Sequence, residues 1–169
     1  MIAADQHVVL VGLMGSGKST VARILAERLG RRLIDTDTVI EQRTGRTVRD
    51  IFAADGEGAF RALETEVLVQ SLAEPEPAVI AAAGGVVLRS ENRAALADSG
   101  ARVVWLSADP ATLVERVRGG AHRPLLDDDA AGTLQRMHTD REPLYREVAH
   151  LIVRVDGRSA ADVAEAVLR

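Results

Sequence analysis

A glycine-rich segment near the start of the chain has the residue types and spacing that bind a phosphate. Residues 12–19 read Gly-Leu-Met-Gly-Ser-Gly-Lys-Ser and match the pattern G-x-x-x-x-G-K-[ST] in full. In such a loop successive backbone N–H groups point at phosphate oxygens, Lys18 reaches the β- and γ-phosphates, and Ser19 places its hydroxyl on Mg²⁺. The predicted nucleotide-binding residues of this segment are Gly15, Ser16, Gly17, Lys18, Ser19 and Thr20.

Two aspartates follow the second predicted strand, two positions apart. Asp35 and Asp37 carry like charges that repel, and a nearby Mg²⁺ or a hydrogen-bonding substrate would relieve that repulsion. The position of Asp35 favours an indirect role in holding the metal. For Asp37 two interpretations stay open on this segment alone, because an aspartate here could equally cap a helix that starts near Thr38.

Other candidate site residues are a pair of glycines and four arginines. Gly84 and Gly85 follow the third predicted strand, where a bare backbone can approach a ligand closely, although alone they fit a plain turn better. Each arginine, viewed alone, is better explained as a solvated side chain on a helix face. The four that stand out by their context are Arg61, Arg116, Arg123 and Arg141.

The elements that must position these residues alternate between short β-branched strands and helices. The predicted strands are 7–11, 32–34, 79–82, 102–106 and 150–155. The predicted helices are 18–29, 38–45, 48–54, 57–72, 90–97, 111–117, 130–147 (bent or restarted at Pro143) and 160–168. This alternation predicts one α/β domain over residues 1–169, with a parallel sheet covered on both faces. Ligands bind beyond the carboxyl ends of such strands, where the candidate residues lie.

Composition excludes several classes of protein. The 169 residues include 47% hydrophobic and 27% charged residues, an ordinary balance for one globular domain. A net charge of −4 and aromatic residues at only 2% argue against nucleic-acid binding. The chain has no cysteine, which fits a reducing compartment, so we expect a cytoplasmic protein. No apolar run is long enough for a membrane span, and no exposed apolar stripe is evident, so we expect a monomer with no membrane partner.

Taken together, these segments resemble the shikimate kinase family. The matching stretches are GLMGSGKST, LIDTDTVIE, EQRTGRTVRDIF, DGEGAFRALE, AGGVV, HRPLL and REPLYREVA, in this order. The resemblance implies a three-layer P-loop kinase fold with strand order 2-3-1-4-5, a substrate-binding helical segment at about 36–64 and a mobile lid at about 119–129. It also implies phosphorylation of the 3-hydroxyl of shikimate by ATP and Mg²⁺, on the route to the aromatic amino acids.

The resemblance further implies roles for the candidate residues. Asp37 would hold the ring hydroxyls, whether or not it also takes the proton of the attacking hydroxyl. Arg61 and Arg141 would grip the carboxylate, while Gly84 and Gly85 line the ring and the γ-phosphate. In the nucleotide site, Arg123 would close over the phosphates and Arg116 would border the adenine. Ser19 would bind Mg²⁺, and Asp35 would hold it through water. The predicted catalytic residues are therefore Lys18, Asp37 and Arg123.

The chain departs from the family pattern after the third predicted strand. The family usually has three glycines there, whereas this chain has Ala83, Gly84 and Gly85. The methyl group of Ala83 could narrow the site or require a backbone angle that suits alanine poorly. The alternatives to a shikimate kinase are another small-molecule kinase of the same fold, such as a gluconate kinase, a nucleotide-binding regulator that transfers nothing, and a nucleic-acid-directed enzyme.

Overall fold

A parallel sheet forms the centre of the protein. The computed structural model describes residues 1–118 and 129–169. Within them the strands are β1 (Val8–Val11), β2 (Arg32–Asp35), β3 (Ala78–Ala81), β4 (Arg102–Ser107) and β5 (Leu151–Arg154). All neighbouring pairs are parallel and the order is β2-β3-β1-β4-β5. The predicted strand order is therefore confirmed.

The central strand shows why the sequence of this sheet is apolar without alternation. Val9 of β1 lies opposite Ile80 of β3 on one side and opposite Val103 of β4 on the other. All of β1 is completely buried. A strand with neighbours at both edges and helices on both faces has no side exposed to water, so each position can be apolar.

Helices cover both faces of the sheet. They are α1 (Lys18–Leu29), α2 (Thr36–Thr44), α3 (Val48–Leu72), α4 (Ser90–Asp98), α5 (Pro110–Arg118), α6 (Ala130–Val148) and α7 (Ala160–Leu168), with a 3₁₀ turn at Val86–Leu88. Helix α1 packs against α7 and β3, whereas α4 packs against α3 and α6. Helix α3 covers both helices predicted at 48–54 and 57–72, and Gly56 between them has non-helical angles (φ 85°, ψ 171°). The predicted division is thus present as a kink.

The segment from α2 to the middle of α3 has a small apolar cluster of its own. Its buried members are Ile40, Ile51, Phe60 and Val67. The cluster fixes α2 against α3, so side chains that project from these helices have a defined position. This is the part of the fold that the sequence predicts to bind substrate.

The start of α2 corrects one interpretation of the acid pair. The helix begins at Thr36, and the carboxylate of Asp35 accepts hydrogen bonds from the backbone N–H groups of Asp37 (3.2 Å) and Thr38 (3.3 Å). The alternative in which Asp37 caps a helix starting near Thr38 is therefore wrong. Asp35 caps the helix, which leaves the carboxylate of Asp37 in the first turn for another role.

Two other expectations concern the predicted lid and a membrane span. Arg123 and residues 119–128 of the predicted lid lie outside the described residues. No helix in the described part of the chain combines the length and the apolar character needed to cross a bilayer.

Candidate active site

The phosphate-binding loop joins β1 to α1. Gly12 has φ 146°, and a Cβ there would lie 2.6 Å from the carbonyl oxygen of Leu106, so the loop can follow this path only with glycine at that position. Gly17 precedes α1, no side chain caps that helix, and its first turn holds no acidic residue. The first N–H groups of α1 therefore provide the partial positive charge that binds an anion.

Lys18 lies over this loop. Its ammonium group donates to the carbonyl oxygens of Gly12 (2.7 Å) and Leu13 (3.1 Å). Ser16 differs from the other predicted loop residues because it is buried beneath the loop, and its N–H donates to the oxygen of Leu13 at 3.1 Å. Lys18 is thus the side chain of the loop that can supply a full positive charge to a phosphate.

Ser19 and Asp35 bring two oxygen ligands together at the edge of the loop. The Ser19 hydroxyl donates to Asp35 Oδ2 at 2.7 Å, while Asp35 Oδ1 caps α2. Mg²⁺ prefers oxygen ligands and usually takes only one or two from the protein, with the rest from water and phosphate. Among residues 1–118 and 129–169 there is no cluster of three or more His, Cys, Asp or Glu that could hold a metal. The pair therefore fits a magnesium ion that is bound together with a nucleotide.

One cavity of about 690 Å³ joins the phosphate-binding loop to the predicted substrate residues. Such a volume is typical of a site for small molecules. The predicted site residues that line it are Gly15, Gly17, Lys18, Ser19, Thr20, Asp35, Asp37, Arg61, Gly84, Gly85, Arg116 and Arg141. Of the predicted residues that the structure describes, only Ser16 is absent from its wall. Asp37 and the two distant guanidinium groups therefore converge on a space that also faces Lys18.

Arg61 is held between two carboxylates of its own helix. Its Nη1 donates to both oxygens of Glu64 (3.2 and 3.0 Å), and its Nε (3.3 Å) and Nη2 (3.1 Å) donate to Glu57 Oε1. The guanidinium carbon lies 5.3 Å from the ring centroid of Phe60, within the range of a cation–π contact. Arg61 is only 7% exposed, so its orientation toward the cavity is fixed before any ligand arrives.

Arg141 reaches the same end of the cavity from α6. It is 5% exposed and lies beside the hydroxyl of Tyr145, one turn further along the helix. The Tyr145 hydroxyl in turn donates to the carbonyl oxygen of Gly84, and its ring stacks on Trp105 with centroids 5.7 Å apart. Tyr145 therefore links the helix that carries Arg141 to the loop that follows β3.

The glycine pair lets both arginines approach the backbone. A Cβ at Gly85 would overlap the guanidinium group of Arg61, and one at Gly84 would lie 3.7 Å from Arg141 Nη1. Ala83, which stands where the family usually has glycine, has no left-handed backbone angle, and its N–H donates to the hydroxyl of Thr36 at 3.0 Å. The alanine is therefore accommodated without backbone strain.

Burial raises the pKa of two groups beside the arginines. Burial raises the pKa of the Glu64 carboxyl to about 7, although the charge of Arg61 acts in the opposite direction. Burial also raises the pKa of Tyr145 to about 12, against the lowering effect of Arg141. Tyr145 is consequently a neutral hydrogen-bond donor, whereas Glu64 lies close to the midpoint of its titration at neutral pH.

Comparison with known proteins decides the family. A family model described as shikimate kinase matches residues 14–169. The chain belongs to the shikimate kinase family. A shikimate kinase of Symbiobacterium thermophilum is 50% identical over 165 residues, which cover 96% of this chain and 94% of that protein.

Solved structures agree with this membership. The shikimate kinase from Acinetobacter baumannii in complex with shikimate has a TM-score of 0.92 at 38% identity, covering 96% of this chain and 90% of that one. A gluconokinase from Sinorhizobium meliloti 1021 has a TM-score of 0.67 at 23% identity, covering 97% and 90%, and therefore shares the fold alone. The family and the P-loop kinase fold expected from the sequence are confirmed.

Sequence reasoning missed several residues of this shikimate kinase site. Glu57 and Glu64 hold Arg61, and Tyr145 holds Gly84, yet none of the three was predicted to belong to the site. Glu57 and Glu64 stand four residues before and three after Arg61, a spacing that places charged side chains side by side on a helix. That spacing could have identified them. Further residues of the cavity wall are Met14, Glu41, Thr47, Val48, Arg49, Phe52, Phe60, Ala81, Ala82 and Ala83.

Proposed function

We propose that the chain transfers the γ-phosphate of ATP to the 3-hydroxyl of shikimate, giving shikimate 3-phosphate and ADP on the route to the aromatic amino acids. The observation that carries the proposal is the meeting of Asp37, Arg61 and Arg141 in one cavity that also holds Lys18. A related shikimate kinase, from Acinetobacter baumannii, was solved in complex with shikimate.

Recognition of the acceptor follows from the charges at its end of the cavity. The guanidinium groups of Arg61 and Arg141 provide planar, directed donors that match a carboxylate. Asp37, in the first turn of α2, accepts hydrogen bonds from hydroxyl groups. A ring with one carboxylate and neighbouring hydroxyls satisfies both requirements, and shikimate is such a molecule.

The transfer itself needs positioning and charge neutralisation more than covalent chemistry. Lys18 offsets the negative charge of the transferring phosphoryl group, and Arg123 does so from the proposed lid. Asp37 accepts a hydrogen bond from the attacking hydroxyl and orients it. The backbone of Gly84 and Gly85 lies against the ring, and Arg116, which donates to the carbonyl oxygen of Gly15 at 3.2 Å, borders the base of the nucleotide.

Ser19 and Asp35 are the proposed residues for magnesium. When bound, Mg²⁺ would neutralise charge on the phosphate oxygens and so favour transfer of the phosphoryl group. We also propose a cytoplasmic location, since a chain without cysteine suits a reducing compartment, and a monomeric state. Size-exclusion chromatography coupled to light scattering tests the monomeric state.

A coupled assay of ADP release tests the proposed function. Purified protein receives MgATP with shikimate, with gluconate, or with neither acceptor. ADP release that requires shikimate supports the proposal. Faster release with gluconate identifies a gluconate kinase, and no release with either acceptor identifies a nucleotide-binding protein that transfers nothing.

A further inference from the structure

A buried carboxylate, that of Glu64, lies behind Arg61 and outside the wall of the cavity that receives the substrate. The side chain of Glu64 is 1% exposed, and both of its oxygens accept hydrogen bonds from Arg61 Nη1. Arg61 therefore serves three anions: the internal carboxylates of Glu64 and Glu57, and the incoming carboxylate of the substrate. This deepens the proposed function and rests on it, because the incoming anion is the carboxylate of shikimate.

The groups that face Glu64 come from three helices. They are Arg61 on α3, Asp37 on α2, and Arg141 and Tyr145 on α6. The two arginines thus already face the carboxyl groups of Glu64 and Asp37, and at the solvent side that of Glu57. A substrate carboxylate adds a further negative charge near Glu64. Because Glu64 is buried, little water is present to screen the repulsion between the two carboxylates.

A second anion beside the same arginines changes the protonation of the first. Burial already places the pKa of Glu64 at about 7, held down only by the nearby positive charges. A substrate carboxylate that shares those charges raises the pKa further, because a like charge disfavours the ionised form. The protonated carboxyl still accepts from Arg61 through its carbonyl oxygen, so the position of the arginine is kept.

We propose that Glu64 takes up one proton from solvent when a carboxylate binds between Arg61 and Arg141, so that binding of shikimate is linked to pH. The new bond is the O–H bond on the Glu64 carboxyl, and the net charge of the site is the same before and after binding. Glu64 is thus a positioning residue for Arg61 whose protonation sets the affinity of the acceptor site.

Glu57 provides a matched control on the same arginine. It also bonds Arg61, but its side chain is 52% exposed. Water solvates and screens an exposed carboxylate, so the substrate should repel Glu57 less strongly than it repels the buried Glu64. Replacement of either glutamate by glutamine keeps the size and one acceptor oxygen and removes the titration.

Calorimetric titration of the full chain with shikimate measures the proton uptake directly. At about pH 8, the binding enthalpy in buffers of different ionisation enthalpy should give an uptake of roughly half to one proton, and the Kd should rise up to about tenfold per pH unit above about pH 7. The Glu64→Gln variant should show no uptake and a flat Kd, while Glu57→Gln, whatever its affinity, should keep the proton uptake and the rise of Kd with pH.

Each failure has its own signature. Tight shikimate binding with no proton uptake between about pH 7 and about pH 8.5 overturns the proposal, as does uptake that persists in Glu64→Gln. If that variant does not fold, the infrared difference spectrum of the unmodified chain decides, since shikimate should produce the C=O band of a protonated carboxyl and its absence overturns the proposal. A chain that neither binds shikimate nor releases ADP with it overturns the proposed function as well.

Discussion

The guanidinium group of Arg61 fills the space that a side chain at Gly85 would need. A Cβ at Gly85 would overlap Nη1, Nη2 and the guanidinium carbon. The backbone after β3 and the side chain of Arg61, which projects from the middle of α3, are therefore in close contact. Glu57 and Glu64 also bond Arg61, so a shift of the arginine away from Gly85 disturbs both ion pairs. The glycine is in this sense part of the carboxylate site.

Gly85→Ala should weaken shikimate binding without preventing folding. The added methyl group forces Arg61 to move, so we expect the KM for shikimate to rise at least about tenfold, which is about 1.4 kcal/mol. The KM for ATP should change much less. Steady-state kinetics with each substrate varied in turn gives both values.

The matched control is Gly58→Ala on the same helix as Arg61. A Cβ at Gly58 meets nothing within 4 Å, and an alanine inside a helix is favoured over glycine by up to about 1 kcal/mol. This variant should keep both KM values and melt slightly higher. A Gly85→Ala enzyme with the same kinetics as this control would show that Arg61 can move freely.

Tyr145→Phe should separate the hydrogen bond of this side chain from its packing. The phenylalanine ring can still stack on Trp105, but the carbonyl oxygen of Gly84 loses its donor. Gly84 is only partly buried and lines the cavity, so the loss is that of one ordinary hydrogen bond, about 0.5 to 1.5 kcal/mol, which lowers the melting temperature by roughly 1 to 6 °C in a chain of this size. Because the loop after β3 is loosened, the KM for shikimate should rise as well. If the melting temperature and the KM for shikimate of Tyr145→Phe both equal those of the unmodified chain, the proposed role of this hydrogen bond is wrong.

Much of the fold and of the phosphate site follows from local sequence. The loop pattern at 12–19, with a strand before it and a helix after it, indicates where Lys18 and Ser19 lie because backbone geometry there depends on few neighbours. The rule that ligands bind at the carboxyl ends of parallel strands then brings Asp35 and Gly84 to the same edge. These parts needed no knowledge of tertiary packing.

The parts that sequence could not supply depend on packing between distant elements. Asp35 and Asp37 are both good helix caps, and only the start of α2 at Thr36 decides between them. Nothing local shows that Glu64 is buried, since that depends on how α2, α4 and the 3₁₀ turn pack against α3.

Proline in a helix is a second case of this limit. We predicted a bend or restart at Pro143, and the restart is wrong, because α6 is continuous from Ala130 to Val148. Proline removes one N–H donor from the helix. The buried Arg141 and Tyr145 on either side anchor the helix through that position.

Asp35→Asn should distinguish helix capping from metal binding. Asparagine caps a helix as well as aspartate does. Helix α2 should therefore be preserved, and the free energy of unfolding should change by less than about 0.5 kcal/mol. The lost charge should weaken magnesium binding, and the Mg²⁺ concentration that gives half-maximal rate should rise by roughly tenfold or more. A magnesium titration of the rate at saturating ATP provides the measurement. An unchanged titration curve would leave Asp35 with a capping role alone.

Arg141→Ala should mainly affect the KM for shikimate, whereas Arg123→Ala should mainly affect kcat. Loss of Arg141 removes one of the two arginines that donate to the substrate carboxylate. The KM for shikimate should therefore rise at least about 30-fold, which corresponds to about 2 kcal/mol. Loss of Arg123 should lower kcat and leave shikimate affinity nearly intact, because its proposed contact is with the phosphates. Arg136→Ala is the control for α6, since Arg136 is exposed and bonds only the nearby Thr133 among the described contacts. Equal effects of both site variants on both constants would contradict the proposed division of roles.

The stability of the chain without substrate should report the buried state of Glu64. Its pKa is about 7 in the folded chain against an ordinary value of 4.5. The folded chain therefore keeps a proton that the unfolded chain has lost, so this carboxyl makes the free energy of unfolding fall as pH rises from about 4.5 to about 7. Glu64→Gln has no such proton, so its stability relative to the unmodified chain should increase by up to about 3 kcal/mol over that interval.

Urea unfolding at intervals from about pH 5 to about pH 8 measures this difference, with Glu57→Gln as the control that should follow the unmodified chain throughout. The comparison is sensitive because other carboxyl groups titrate alike in all three proteins and cancel in the differences. A constant difference between Glu64→Gln and the unmodified chain across the whole range would mean that Glu64 titrates normally despite its burial. In that case the balance of two arginines against Glu64 and Asp37 is strong enough to keep the carboxylate charged, and shikimate would bind without taking up a proton.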